Sequence, residues 1–355
     1  MRIEDIDRNF KLPEALNRPD LVWFDVREEP FTIYGLYDAK NPDHTFMRMP
    51  QEVADSVSSG VSYLNRNTAG GRVRFTTDSP FVAIFCETNE PISMMSHMPL
   101  SGSQGFDLYQ TDEETGVSTF TAAFFPPPTA LGETAFSGIR DVGDAKRRSF
   151  TLNFPLYGTC RRLLVGLKKD ALLEKGVSYR NDLPVVFYGS SITQGGCASR
   201  PGTSYQAYLS HTLNLDYINL GFSGNACGEP EMAAYLASLP MSVFVSDYDH
   251  NAWHLEDLQK TLPPLLAGVR AVYPDMTIVQ LSSPAASTGL ARRDYIRSHI
   301  ESLQAAGDKH VFFIDGASVF EGDRALDSTV DGCHPTDLGF YWMYRALLPY
   351  LAGNG

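Results

Sequence analysis

The sequence of 355 residues lacks the features of membrane-spanning proteins and of nucleic-acid-binding proteins. It has no uninterrupted apolar stretch of about 18 residues, which is the length that a transmembrane helix needs. Its basic residues form only short clusters, and its formal net charge is −13 with a pI near 5.0, which argues against nucleic-acid binding. We therefore expect no membrane span and no nucleic-acid partner, and we expect a neutral small molecule or uncharged polymer as the ligand.

Cysteine is also scarce, and the cysteines are not arranged in pairs. They are Cys86, Cys160, Cys197, Cys227 and Cys333. An odd number of scattered cysteines without a C-x-x-C motif is typical of reduced thiols, and not of a disulfide framework or a zinc site. The first twenty residues are polar and acidic, without the apolar core of a secretory signal, so we expect a cytoplasmic protein.

The chain is longer than a typical single domain, and its first half has the pattern of a β protein. Short runs that alternate apolar and polar residues are separated by Gly, Pro, Asn and Asp. Residues 1–178 are therefore predicted to form an antiparallel β-sandwich, jelly-roll-like, with an irregular N-terminal segment. The predicted strands are VWFDV, FTIYGL, GRVRFTT, FVAIFCE, GFDLYQ, TFTAAFF, RSFTLNF and RRLLVGL.

From about residue 183 the pattern changes to nearly continuous apolar runs separated by helix-like segments. Strands that are covered by helices on both faces need such continuity. Residues 179–355 are therefore predicted to form an α/β domain with a three-layer, doubly wound parallel sheet, flavodoxin-like in kind. The predicted strands are VVFYG, YINLGF, SVFVSDY, TIVQLSS and VFFIDGA, and the predicted helices span residues 203–214, 229–238, 254–273, 288–306 and about 336–352.

Polar residues cluster just after these predicted strands, where the sites of open α/β sheets form. Ser191 follows the first strand, Gly224 the second and Asn251 the third. The loop after the fifth strand contains Asp331 and His334. These residues supply a hydroxyl nucleophile, a histidine base with an acidic partner, and N–H donors, which are the groups that acyl transfer through a covalent intermediate requires.

Three of these residues also have a purely structural explanation. Ser191 could cap the following helix, and His334 before Pro335 could open the last helix. Gly224 could serve only a tight turn. The joint occurrence of Ser191 with the Asp331 and His334 spacing favours catalysis, whereas for Ser190 a structural contact is favoured over nucleophilic attack.

Four short motifs of this half resemble the sequence blocks of the SGNH (GDSL-type) hydrolases, in the order Ser, Gly, Asn and His. GSSIT is similar to the first block, usually G-D-S, and GFSGN is similar to the second. DYDHN stands where the third block, usually G-x-N-D, would be, and DGCHPT matches the D-x-x-H-P block. Ser190 stands where the family usually has aspartate, and the third block lacks its leading glycine. The resemblance covers roughly residues 183–352.

The resemblance assigns roles to the residues that match these blocks. It implies that Ser191 is the nucleophile, His334 the base and Asp331 its partner. It also implies that the backbone N–H groups of Ser191 and Gly224, with the Asn251 amide, form an oxyanion hole. Upstream, GFDLY at residues 105–109 resembles the G-x-D-L-Y motif of β-rich domains that precede some of these hydrolases.

The function implied by the resemblance is that of a serine esterase that works through an acyl-enzyme, without a metal or an organic cofactor. By analogy, a β-sandwich beside such a domain suggests carbohydrate recognition, so we predict a carbohydrate acetylesterase or an enzyme for another small acyl ester. Asp249 and His250 are candidates for lining the substrate pocket. Two alternatives stay open: an acyltransferase that uses the same triad, and a carbohydrate-binding protein whose hydrolase domain is inactive. The sequence gives no prediction of oligomeric state.

Overall fold

The computed structural model describes residue 16 and residues 18–284, 289–320 and 325–353. Contacts within the chain divide it into two compact units. The β unit comprises Met1–Met47, Arg66–Tyr179 and Ser199–Gly202, and the α/β unit comprises Arg48–Asn65, Arg180–Ala198 and Thr203–Gly355. The start of the predicted irregular N-terminal segment, residues 1–15, lies outside the described residues, and the predicted boundary at residues 178 and 179 stays a prediction.

The β unit contains two antiparallel sheets. The first is built from β1 (Leu21–Asp25), β4 (Phe81–Glu87), β7 (Ala135–Asp141) and β9 (Arg162–Lys168), in the order β1-β9-β4-β7. The second is built from β2 (Thr32–Tyr34), β3 (Arg72–Thr77), β5 (Phe106–Thr111), β6 (Ser118–Phe124), β8 (Arg148–Asn153) and β10 (Leu173–Lys175). Its order is β10-β3-β8-β5-β6, with β2 also paired to β3.

One hydrophobic core is shared by strands of both antiparallel sheets. Phe106 and Leu108 of β5 are fully buried in it, together with Ile84 of β4 and Val165 of β9. Burial of apolar surface stabilises the fold by roughly 25 cal/mol per Å², which explains why apolar residues recur at every second position of these strands. The predicted antiparallel sandwich is confirmed.

The α/β unit contains a parallel sheet of five strands. They are β11 (Val185–Gly189), β12 (Tyr217–Gly221), β13 (Val243–Asp247), β14 (Thr277–Leu281) and β15 (Val311–Ile314), in the order β12-β11-β13-β14-β15. Every residue of β11 and β13 is buried, as the continuous apolar runs require. The predicted doubly wound parallel sheet is confirmed, and the strand order reverses at β11.

The helices of this sheet lie close to their predicted positions. The chain contains α1 (Gln51–Val57), α2 (Ser59–Leu64), α3 (Leu100–Ser103), α4 (Ser191–Gln194), α5 (Tyr205–Leu213), α6 (Pro230–Ser238), α7 (Leu255–Val272), α8 (Leu290–Ala305) and α9 (Asp337–Leu351). Residue 288, the predicted first residue of the helix at 288–306, lies outside the described residues. Among the helices that the structure describes, none combines the length and apolar character that crossing a membrane requires.

Helices α1 and α2 were not predicted, and they belong to the α/β unit although the sequence around them belongs to the β unit. Val53, Val57 and Val61 recur every four residues and pack against the core of the α/β unit. The side chain of Ser58 caps α2 by accepting a hydrogen bond from the N–H of Val61. The α/β unit is therefore not continuous in sequence.

Candidate active site

The carboxyl ends of β11, β12 and β13 meet where the strand order reverses. Gly189 at the end of β11 pairs with Gly221 of β12 on one side and with Asp247 of β13 on the other. A Cβ atom on Gly189 would lie 2.2 Å from the carbonyl oxygen of Asp247, so only glycine fits there. The loops that leave these strands carry Ser191 and Asn251, at the edge where open α/β sheets bind ligands.

The two adjacent serines have different contacts. Ser190 is fully buried and is the N-cap of α4: its Oγ accepts from the N–H of Ile192 at 3.2 Å, and its own N–H donates to the Asp247 carbonyl at 2.9 Å. Ser191 is the first residue of α4, and its Oγ lies 2.9 Å from Nε2 of His334. Serine and aspartate are both good N-caps, so Ser190 takes the capping role that an aspartate could take.

Asp331 and His334 lie together in the loop before α9. Nδ1 of His334 is 2.8 Å from Oδ2 of Asp331, while Oδ1 accepts from the N–H groups of Cys333 and His334 at 3.0 and 2.8 Å. Burial alone would raise the pKa of Asp331, but these hydrogen bonds outweigh it and lower the pKa to about 2. The ionised carboxylate therefore holds the Nδ1–H tautomer, in which Nε2 can accept the hydroxyl proton of Ser191.

The loop itself is fixed by its backbone. Gly332 has φ +84°, a conformation that favours glycine, and its N–H donates to the hydroxyl of Thr329 at 3.1 Å. The N–H of Val330 donates to the His334 carbonyl at 2.9 Å. Thr336 then caps α9 through its side chain. One hydrogen-bonded loop therefore presents both the carboxylate of Asp331 and the imidazole of His334.

The predicted oxyanion-hole residues after β12 and β13 both expose or orient N–H groups. Gly224 is exposed with φ +70°, and within the described part of the chain its N–H has no protein acceptor. Asn251 is 7% exposed, and its Nδ2 donates to the Phe222 carbonyl at 3.2 Å. Because a side-chain amide has two N–H bonds, this contact orients the second one. The oxyanion-hole role of both residues stays a prediction.

Arg48 hydrogen-bonds the end of β12, and no sequence motif indicated this role. Its side chain is buried, and its guanidinium donates to the carbonyl oxygens of Gly221, of Asn219 at 3.4 Å and of Leu64 at 2.6 Å. The guanidinium carbon also lies 4.3 Å from the centre of the Phe222 ring. Arg48 and Gly221 are 173 residues apart in sequence, so no local pattern could have connected them.

The two candidate substrate-lining residues, Asp249 and His250, are largely buried. Oδ2 of Asp249 accepts from the N–H of Ser283 at 3.1 Å, and Nδ1 of His250 lies 3.8 Å from Sγ of Cys333. Burial lowers the pKa of His250, which favours its neutral ring, and burial raises the pKa of the Cys333 thiol to about 11, which leaves it protonated. The substrate-lining role of Asp249 and His250 stays a prediction.

A further buried carboxyl group lies at the base of the site. Asp247 is fully buried at the end of β13, and its Oδ2 accepts from the Thr193 hydroxyl at 3.3 Å. Burial, together with the negative charge of Asp249, raises the pKa of Asp247 well above its ordinary value. The folded environment of Asp247 therefore favours the protonated, neutral form of its carboxyl group.

Two family models match the chain, one on each half. Residues 182–352 match the GDSL-like Lipase/Acylhydrolase family, and residues 21–173 match GxDLY, the N-terminus of Esterase_SGNH_hydro-type. The chain therefore contains a GDSL-like lipase/acylhydrolase (SGNH) domain preceded by a GxDLY domain. This confirms the resemblance that the sequence motifs indicated. No curated protein matches the chain at a significant level.

Solved structures of similar fold extend over nearly the whole chain. A GDSL-like protein of Bacteroides ovatus ATCC 8483 is 26% identical with a TM-score of 0.81, over 94% of this chain and 97% of that chain. The salicylyl-acyltransferase of a tetracycline biosynthetic pathway is 20% identical with a TM-score of 0.75, over 95% and 98%. A family two carbohydrate esterase from Clostridium thermocellum, in complex with cellohexaose, is 14% identical with a TM-score of 0.61, over 91% and 98%. The last two establish a shared fold.

Proposed function

We propose that the protein is a serine esterase that hydrolyses carboxylic esters through an acyl-enzyme. One observation carries this proposal: Ser191, His334 and Asp331 form a continuous hydrogen-bonded chain, with 2.9 Å between Oγ and Nε2 and 2.8 Å between Nδ1 and Oδ2. A nucleophile, a base and a carboxylate in this order are the parts of a serine triad. The match of residues 182–352 to the GDSL-like Lipase/Acylhydrolase family supports the same reaction class.

We assign each step of the proposed reaction to one of the candidate site residues. His334 takes the hydroxyl proton of Ser191 through Nε2 while Oγ attacks the ester carbonyl carbon. The N–H groups of Ser191 and Gly224 and the Asn251 amide stabilise the oxyanion, and Asp331 stabilises the imidazolium. His334 then protonates the departing alcohol. Water, activated by the same imidazole, hydrolyses the acyl-enzyme and restores the free serine.

We propose acetyl or other short acyl esters of carbohydrates as the substrate class. The family two carbohydrate esterase in complex with cellohexaose has the same fold over nearly its whole length, which supports a sugar as the alcohol component. The net charge of −13 does not favour an anionic substrate, whereas a neutral acetylated sugar meets no such repulsion.

The test is ester turnover by the wild type and by two matched serine variants. Hydrolysis of p-nitrophenyl acetate and release of acetate from acetylated mono- and oligosaccharides would be measured for wild type, Ser191→Ala and Ser190→Ala. We expect Ser191→Ala to lose roughly 10³-fold or more in kcat, since the nucleophile is gone, while Ser190→Ala keeps its activity. Equal turnover by wild type and Ser191→Ala would end the esterase proposal and favour a carbohydrate-binding protein with an inactive hydrolase domain.

A second candidate is transfer of the acyl group to an alcohol acceptor in place of water. The likeness to the salicylyl-acyltransferase, with a TM-score of 0.75, favours it. The same residues would act, because an acceptor hydroxyl deprotonated by His334 attacks the acyl-enzyme as water does. Adding acceptor alcohols to the assay separates the two: an acyltransferase forms more of the new ester than of the free acid, and an esterase does not.

A further inference from the structure

The motif GFDLY, residues 105–109, takes no part in the proposed catalytic steps, yet its positions have defined contacts within the β unit. A Cβ atom on Gly105 would lie 2.4 Å from the carbonyl oxygen of Ser101, so glycine is required there. Phe106 and Leu108 are fully buried in the core of the β unit. Gly105 therefore leads into strand β5, and Phe106 and Leu108 pack the strand into the core.

Asp107 and Tyr109, at the alternate positions of β5, bind one short segment of chain, Ser199–Gly202. Oδ2 of the fully buried Asp107 accepts from the N–H of Gly202 at 2.8 Å, and Oδ1 accepts from Nδ2 of Asn153 at 2.8 Å. The hydroxyl of Tyr109 donates to the Gly202 carbonyl at 3.2 Å. A carboxylate and a phenol thus bind both backbone polar groups of one glycine.

Side-chain contacts make the fit of this segment specific. Nη1 of Arg200 lies 3.5 Å from Oδ2 of Asp107 and 3.1 Å from the hydroxyl of Tyr109, and its guanidinium carbon lies 4.0 Å from the centre of the Phe120 ring. A Cβ atom on Gly202 would lie 2.3 Å from the Tyr109 ring. Because burying a carboxyl group without partners is costly, these contacts offset the cost of burying Asp107.

The segment Ser199–Gly202 is connected along the chain to Ser191 on one side and, through Thr203, to the helix that follows His334 on the other. After α4, two consecutive N–H groups donate to the carbonyl oxygen of Ser191 at 3.1 and 2.8 Å, and the chain then leaves the α/β unit after Ala198. It returns at Thr203, whose hydroxyl donates to Oδ1 of Asp337 at 2.7 Å. Asp337 begins the helix that follows His334.

We propose that Asp107 and Tyr109 are positioning residues for catalysis. By fixing Ser199–Gly202, they restrain the turn that bears Ser191 and keep its hydroxyl aligned with His334. This inference rests on the proposed esterase function and assigns the GFDLY motif to support of the nucleophile, in place of direct contact with substrate.

Kinetics of Asp107→Asn and Tyr109→Phe test the proposal, with Thr111→Val as the matched control. Thr111 is buried on the same strand but hydrogen-bonds Ser118 and Thr151. Small misalignments of reacting groups cost up to ~10²-fold in rate, so we expect each test variant to lose between about 10- and 100-fold in kcat with KM within about twofold. Thr111→Val should keep kcat within about twofold of wild type.

Titration of active sites with a serine-reactive organophosphate separates positioning from loss of folded protein. A positioning role lowers kcat per titrated site, whereas partial unfolding lowers the number of sites and leaves kcat per site unchanged. Wild-type kcat per site in both test variants, or a loss no greater than that of Thr111→Val, would overturn the proposal. If Asp107→Asn does not fold, Tyr109→Phe alone decides.

Hydrogen–deuterium exchange of peptides covering residues 191–204 provides a readout that needs no turnover. We expect faster exchange in Asp107→Asn and Tyr109→Phe than in wild type and Thr111→Val. Unchanged exchange would show that the two residues do not restrain the segment, whatever the activity. Faster exchange in a protein without esterase activity would confirm the restraint, end its catalytic purpose and place the failure in the proposed function.

Discussion

The guanidinium carbon of Arg48 lies 4.3 Å from the centre of the Phe222 ring, with its N–H groups on the carbonyl oxygens of Asn219 and Gly221. The next residues of this loop include Gly224, a proposed oxyanion donor. The Phe222 carbonyl in turn accepts from the Asn251 amide, the other proposed donor. The buried side chain of Arg48 therefore supports the end of β12. The loop that follows contains Gly224 and the carbonyl group that orients the Asn251 amide.

Replacing Arg48 by methionine is expected to lower kcat and leave KM nearly unchanged. Removing one oxyanion donor costs roughly 10²–10³-fold in kcat, and displacement of the loop should cost a part of that, on the order of 10-fold. Steady-state kinetics per titrated active site measure the effect. Lysine at this position keeps the charge but cannot donate to three carbonyl groups as the planar guanidinium does. The kcat of Arg48→Lys should therefore lie between those of wild type and Arg48→Met.

Arg74→Met is the matched control, because Arg74 is equally buried but lies on β3 of the β unit, where it bonds Thr151. Both substitutions should lower the melting temperature. Only Arg48→Met should lower kcat per site, and equal losses in the two variants would contradict the role of Arg48.

Ser190→Ala is expected to reduce stability and spare catalysis. The alanine side chain cannot accept the N–H of Ile192, and loss of an N-cap costs about 1 kcal/mol. Chemical denaturation measures the free energy of unfolding, and p-nitrophenyl acetate measures activity. A loss of kcat as large as that of Ser191→Ala would show that the hydroxyl at residue 190 takes part in the reaction.

Asp331→Asn is expected to lower kcat by on the order of 10³–10⁴-fold, because the imidazole tautomer is no longer fixed. Its effect on stability should depend on pH. The pKa of Asp331 is lowered to about 2 in the folded chain, so its contribution to stability is complete above its ordinary pKa of 3.8 and is lost as the pH falls towards 2.

Free energies of unfolding of wild type and Asp331→Asn, measured from pH 7 down to pH 2, check the pH dependence. The difference between them should shrink over the window from about pH 4 to about pH 2. A difference that stays constant through this window would show that ionisation of Asp331 does not stabilise the folded state.

Asp247→Asn is expected to stabilise the protein near neutral pH. Because burial raises the pKa of Asp247, the unfolded chain releases this proton above about pH 4 while the folded chain retains it, so wild-type stability falls as the pH rises. Asparagine has the same size and does not titrate, and it can still accept from Thr193. The free energies of unfolding of wild type and Asp247→Asn, measured at pH 4 and pH 7, test this. The stability of the variant relative to wild type should be greater at pH 7 than at pH 4, and an equal difference at both pH values would contradict the prediction.

The sequence predicts the parallel sheet well because burial on both faces leaves continuous apolar runs, and the five strands lie within the predicted runs. Strand β7, Ala135–Asp141, was missed because it is only partly buried and alternates weakly. Strand β10, Leu173–Lys175, is short and has no buried residue. Helices α1 and α2 had a detectable period of four residues, but the β-type runs on either side hid it.

The candidate triad was found from motifs, and its three side chains lie in hydrogen-bond contact. The supporting contacts could not be found in this way. Arg48 and Gly221 are far apart in sequence, and the partner of Asp107 is the backbone of Gly202, which no side-chain pattern reveals. Sequence blocks predict the reacting groups, whereas the contacts that hold these groups in place depend on the complete fold.

The interleaving of Arg48–Asn65 with the β unit has a practical consequence for recombination of this gene product. A catalytic module excised at residue 179 would leave behind the buried side chains of Met49, Ala54 and Val61, which fill part of its own interior, together with Arg48. In a chimaera that exchanges the two halves at that junction, the core of the α/β unit would receive residues 48–65 from the other parent protein. Exchange succeeds only where residues 48–65 travel with the catalytic half.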